Sequence, residues 1–160
     1  MKQTLLVAAI VFSTVGVAQA GGQPGSLGVG AEFQLSGVGG LSLNYDTGAF
    51  HVGGFVGLDD AEGDDNTELE IGGRFYYHVH STASSDFSIG GSLGVLSDPV
   101  APDERDTLLF IEPTLQIRAF LTSNVALSFT AGFSIGAADA SGLVITGDLV
   151  GLGGVHYYFF

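Results

Sequence analysis

Three of the four histidines and six charged side chains are the groups whose types and spacing could do chemistry in this chain. His78 and His80 stand two apart, followed by Ser81. On a strand, residues i and i+2 share a face, so both imidazoles are expected to point the same way. With His51 they would offer nitrogens to a metal, but a site needs three or four convergent ligands. The simpler expectation is interior or rim histidines and no metal. Glu32, Glu68, Glu70, Glu112, Arg74 and Arg118 interrupt otherwise apolar runs. If they share an enclosed space they must pair, because an uncompensated buried charge costs several kcal/mol. The stretch from Asp59 to Asn66 is rich in oxygen ligands, yet no frame of it meets the EF-hand pattern. It reads as a solvated acidic loop with, at most, weak divalent-cation binding. Glycine pairs such as Gly28 and Gly30 precede no helix that could hold a phosphate. No nucleophile–base pattern and no cofactor motif emerges, so neither catalytic residues nor a cofactor is expected.

What must position these groups is a set of strands, because the dominant hydrophobic period is two. Leu27, Val29, Ala31, Phe33 and Leu35 alternate with Ser26, Gly28, Gly30, Glu32 and Gln34. Leu41, Leu43 and Tyr45 alternate with Ser42, Asn44 and Asp46, before the turn signal Asp46-Thr47-Gly48. Val52, Val56 and Leu58 alternate with His51, Gly53, Phe55 and Gly57. The clearest run sets Leu69, Ile71, Phe75, Tyr77 and Val79 against Glu68, Glu70, Arg74, Tyr76, His78 and His80. Four further runs begin near Phe87, Leu109, Val125 and Leu143. Two longer loops are expected at Asp59–Asn66 and Ser97–Asp106, and short turns at Thr47-Gly48, Ser81–Asp86 and Thr122–Asn124. Pro113 falls inside a run and costs a ladder N–H there, which marks a bulge or kink. The last run is apolar on both faces, so its register is not fixed by pattern.

Eight runs of one class, an even number, describe an all-β, antiparallel up-and-down barrel that would cross a membrane with strands. In eight strands the interior is barely wide enough for side chains. The polar faces carrying Glu32, Glu68, Glu70, Arg74, Glu112 and Arg118 are then expected to meet as an ion-paired plug, with Gln34, Gln116, Tyr76 and Thr130.

Composition fits that architecture. Mean hydropathy is +0.41, with only 13% charged residues and 26 glycines. No run after residue 20 resembles a membrane helix, and alternating strands are one way to combine the two facts. Residues 1–20 read as a secretory signal: Lys2, the apolar stretch from Leu5 to Phe12, and Ala18-Gln19-Ala20 before the expected cleavage. That leaves 21–160 as one barrel domain. The net charge of −13 argues against nucleic acid as a partner, and the absence of cysteine excludes disulfides.

The C-terminus carries a resemblance. Tyr157-Tyr158-Phe159-Phe160, with Phe160 terminal and Tyr158 two before it, resembles the assembly signal of Gram-negative outer-membrane barrels. With the leader and the strand count, the chain is similar to the small eight-stranded family that includes the outer-membrane protein A transmembrane domain. The resemblance implies insertion by the barrel-assembly machinery, contact with outer-membrane lipid and lipopolysaccharide, and no enzyme activity. Tyr45, Phe50, Tyr77, Phe87, Tyr158 and Phe160 would fall at the periplasmic strand ends, where aromatic rings favour the interface. The implied role is structural, stabilising or surface-interacting, with a small channel as the alternative. A lipid A-modifying enzyme is less favoured: outer-membrane lipid A deacylases use a His, Ser and Glu set acting in the outer half, whereas His78 and His80 adjoin a periplasmic turn. A soluble lipocalin-like carrier would have an apolar interior and usually a Gly-x-Trp signature, and this chain has no Trp.

Overall fold

The computed structural model describes residues 23–35, 37–60, 67–101, 104–138 and 142–160. The expected signal segment and most of the acidic stretch lie outside the described residues. Eight strands follow in order: β1 (Ser26–Phe33), β2 (Gly39–Asp46), β3 (Phe50–Asp60), β4 (Thr67–Ser81), β5 (Ser85–Ala101), β6 (Glu104–Phe120), β7 (Val125–Ala138) and β8 (Gly142–Phe159). Each pairs antiparallel with its sequence neighbour, and β1 meets β8 from Leu27↔Phe159 to Glu32↔Gly154, closing the barrel. Closure pairs the first strand with the last and so leaves neither as an open edge along their shared rungs. No helix occurs among the described residues.

The period-two pattern sorts side chains as the sequence implies, with the apolar set outside. Leu41 and Leu58 are 68% and 66% exposed, and Leu43, Ile71, Ile89, Leu93, Leu109, Ile111 and Leu115 are also outward. Ser42, Asn44, His51, Glu70, Arg74, Ser88, Ser92, Glu112, Thr114, Gln116 and Arg118 are buried in the interior. Bulky interior residues sit beside glycines on neighbouring strands. A Cβ on Gly94 would lie 2.6 Å from the Phe110 ring, and one on Gly28 would lie 2.7 Å from Tyr158. Glycine is therefore what lets an eight-stranded lumen hold arginine, phenylalanine and tyrosine at once. At Gly48 the requirement is conformational: its φ of 86° closes the β2–β3 turn in a region glycine enters without a Cβ penalty.

Several expectations need correction. The predicted loop Ser97–Asp106 is largely strand: Ser97↔Thr107, Asp98↔Asp106 and Pro99↔Arg105 are ladder partners, with an irregularity between Pro99 and Ala101. Pro113 makes no bulge; the β6–β7 ladder passes from Ile111↔Ile135 to Thr114↔Gly132 in one register, omitting the rungs around the missing N–H. Register shifts occur instead between His78 and His80, where β4 slips against β5, and between Thr130 and Gly132, where β7 slips against β8. One extra residue reverses the facing of all that follows, so His78 is buried while His80 is exposed beside the outward Phe87. In β8 the register places Tyr157 and Phe159 outside and Tyr158 inside, 1% exposed. Tyr158 thus leaves the expected outer ring, where Tyr45, Tyr77, Phe87 and Phe160 remain exposed.

Candidate functional site

Most of the predicted charged residues meet in the interior, which is layered. At the end with the short turns, Arg118 on β6 reaches across the lumen. Its Nη2 donates to Asp86 Oδ2 at 2.6 Å, lies 2.7 Å from Asp46 Oδ2 and 3.0 Å from His78 Nε2, while Nη1 donates to Tyr158 Oη at 2.9 Å. The Phe120 and Tyr158 rings lie 5.3 and 5.7 Å from the guanidinium carbon. Aromatic faces shield the cation where water is absent. Two carboxylates and a phenol therefore surround one buried arginine.

The β2–β3 turn builds the other side of this layer. The Gly48 N–H donates to Asp46 Oδ1 at 2.7 Å, and the Gly48 carbonyl lies 2.9 Å from His78 Nδ1. His51 is the cross-strand partner of Asp46, and its Nδ1 lies 2.9 Å from His78 Nε2. Asp46, His51 and His78 each bring a ligand-type atom within 4.8 Å of the others.

In the middle layer Arg74 on β4 forms an ion pair with Glu32 on β1 and donates from Nε to Asn44 Oδ1 at 3.0 Å. Gln34 Nε2 donates to Glu32 Oε1 at 2.6 Å. His156 Nε2 stands 2.5 Å from Ser42 Oγ and 3.8 Å from Glu32 Oε2. Beside them, Ser92 Oγ donates to Glu112 Oε2 at 2.7 Å and Tyr76 Oη meets Thr114 Oγ1 at 2.7 Å. Glu70 is fully buried on the adjoining rung, partnered along the ladder by Gly57 and Leu96. Toward the loop end the filling becomes apolar, with Val38, Phe55, Leu96 and Phe110 in one cluster and Leu108 packed on it.

Of the six charged residues predicted to share the lumen, five are buried there: Glu32, Glu70, Arg74, Glu112 and Arg118. Glu68 stands apart. It is half-buried at the loop-end rim, opposite Asp59. Partial burial, then Asp98 and Asp59, raise its carboxyl above the usual range. A carboxyl raised by folding costs nothing below its unfolded value near 4.5, and the cost grows as pH rises through the folded value. Glu68→Gln is therefore expected to raise the melting temperature at pH 7 and leave it unchanged at pH 4.

Sequence reasoning missed Asp46 and Asp86 as partners of Arg118, because both fall at turn signals. Their parity gave the clue: Asp46 continues Ser42 and Asn44, and Asp86 precedes Ser88 and Ser92 on the same face. It also gave no role to His156 and Asn44. The imagined His51–His78–His80 set is broken by the bulge, and Ser81 is exposed, so no His–Ser pair forms on that strand. On the outer face beside the short β1 and β2 runs lies an open groove of about 1000 Å³, lined chiefly by apolar side chains including Phe33, Leu41, Leu58 and Phe129. Comparisons with protein-family models, curated proteins and solved structures find no match for the chain.

Proposed function

We propose that this chain is a non-enzymatic integral protein of a Gram-negative outer membrane, similar to the small barrels of the outer-membrane protein A type. In this reading residues 1–20 direct export and the final strand is recognised by the assembly machinery. The barrel then serves a structural, stabilising or surface-interacting role. The observation that carries it is the inversion of polarity. Among the described residues most leucines, isoleucines and valines, with Phe33, Phe75, Phe129 and Phe133, face outward, while arginine, aspartate, glutamate and histidine fill most of the interior. A water-soluble barrel of this size would bury the first set, whereas a barrel in lipid must expose it. Two findings support this reading further. A closed sheet satisfies its backbone hydrogen bonds without water. Tyr45, Tyr77, Phe87, Tyr157, Phe159 and Phe160 crowd the turn end of the outer face, where rings would lie at an interface.

The filled lumen favours this over the channel alternative: the Arg118 and Arg74 networks span the interior and an apolar layer caps them. Two measurements test the proposal together. Unboiled protein in detergent is expected to migrate differently from the boiled chain on a gel, and planar-bilayer recordings are expected to show no steady conductance. Recovery of the folded protein in the soluble fraction after expression with its leader would overturn the membrane reading, and a steady unitary conductance would overturn the plugged lumen.

A further inference from the structure

We propose that the turn-end layer of the lumen is a binding site for a divalent transition-metal ion of the zinc class, ligated by Asp46 Oδ2, His78 Nε2 and His51 Nδ1. The case begins with protons. A carbonyl only accepts, so His78 Nδ1, 2.9 Å from the Gly48 oxygen, carries the hydrogen. His78 Nε2 faces an arginine N–H at 3.0 Å, and arginine only donates, so that nitrogen presents a bare lone pair. Asp46 is oriented in the same way: Oδ1 accepts from the Gly48 N–H, while Oδ2 ion-pairs with Arg118 without a hydrogen bond. One glycine thus holds the outer atoms of two ligands and turns their inner atoms to a common point. Metal-binding histidines and carboxylates are held in just this manner by second hydrogen bonds.

The third ligand follows from His51. Its Nε2 is buried and lacks a hydrogen-bond partner among the described residues. Because His78 Nε2 is bare, the hydrogen between the two rings sits on His51 Nδ1, which donates to it at 2.9 Å. Moving that hydrogen to the vacant Nε2 bares Nδ1 as well. Two lone pairs and a carboxylate oxygen would then face one another, an arrangement that a bound cation relieves. At present Arg118 supplies part of that charge, but its Nη2 has two hydrogens for three acceptors: Asp86, Asp46 and His78. Metal entry requires Nη2 to withdraw onto Asp86, which it already holds, with Nη1 still on Tyr158.

The donor set selects the ion. Two imidazoles and one carboxylate suit zinc and its neighbours and disfavour calcium and magnesium, which take oxygen ligands. The three residues each bring a ligand-type atom within 4.8 Å of the others, and tetrahedral zinc with bonds near 2.1 Å spaces its ligands by about 3.4 Å. Small side-chain rotations therefore suffice.

Titration of the refolded full chain in detergent with zinc ions, followed by calorimetry, is expected to give one site per chain and no comparable heat with calcium. His51→Gln and Asp46→Asn should each weaken it at least tenfold, and His80→Ala should leave it unchanged. In wild-type protein carrying nitrogen-labelled histidine, zinc should shift the ring nitrogens of His51 and His78 and spare those of His80. This measurement decides the matter even if a variant fails to fold. Absence of a zinc site, full affinity in His51→Gln, or shifts confined to His80 or His156 would overturn the proposal.

Discussion

Replacing Arg118 by leucine is expected to destabilise the barrel by about 3–5 kcal/mol, the cost of leaving buried carboxylates without their cation. Asp46 and Asp86 are 0% and 1% exposed, so water cannot take over from the guanidinium. The same change removes the donor to Tyr158 Oη, a loss that adds an unmet polar group. Urea titration of the folded protein in detergent, followed by the gel-mobility difference, would measure it. Combining Arg118→Leu with Asp46→Asn and Asp86→Asn should recover most of the loss, because the damage comes from stranded charge rather than from lost volume. A triple variant as unstable as the single one would mean that Arg118 acts through packing against Phe120 and Tyr158 instead. Arg74→Leu is expected to cost less, since Glu32 keeps Gln34 as a hydrogen-bond donor and His156 nearby.

The strand count, the antiparallel order and the facing of most side chains were legible in the sequence because alternation is a direct image of the pleat. Leu41 and Ser42, or Ile71 and Arg74, take the faces their parity assigns. Where the period breaks, the pattern is silent. A bulge adds a single residue with no composition of its own, so nothing in the stretch Tyr77-His78-Val79-His80 announced that His80 would turn outward. The final strand hid Tyr158 for a different reason: with aromatic residues at four consecutive positions, parity carries no contrast. Asp46 and Asp86 were overlooked because acids beside Gly and Ser near strand ends signal turns, and here the residues serve both purposes. Asp46 shapes the turn through Gly48 and holds Arg118 inside the lumen. The apolar layer of Val38, Phe55, Leu96 and Phe110 depends on which strands come together at one height. Register fixes that, and spacing along one strand does not.

The outward face makes the other large prediction, and it distinguishes lipid from water around the barrel. Leu115 on β6 is 46% exposed and lies on the outer surface between its ladder partners Ile89 and Ala131. Val100, 52% exposed, lies near the loop-end rim of β5. If the belt contacts hydrocarbon, Leu115→Arg places a guanidinium near the middle of the bilayer, and folding into lipid vesicles should weaken by about 2–4 kcal/mol. Val100→Arg, near the interface, should cost no more than about 1 kcal/mol. In water both substitutions would fall within about 0.5 kcal/mol of wild type, as exposed changes generally do. The difference between the two sites is more informative than either value, because any general effect of arginine on expression or refolding cancels in it. Equal and small effects at Leu115 and Val100 would remove the belt as a membrane surface. A graded penalty would mean that the leucines and isoleucines lining this wall are solvated by lipid, and that the charged lumen is the part kept from it.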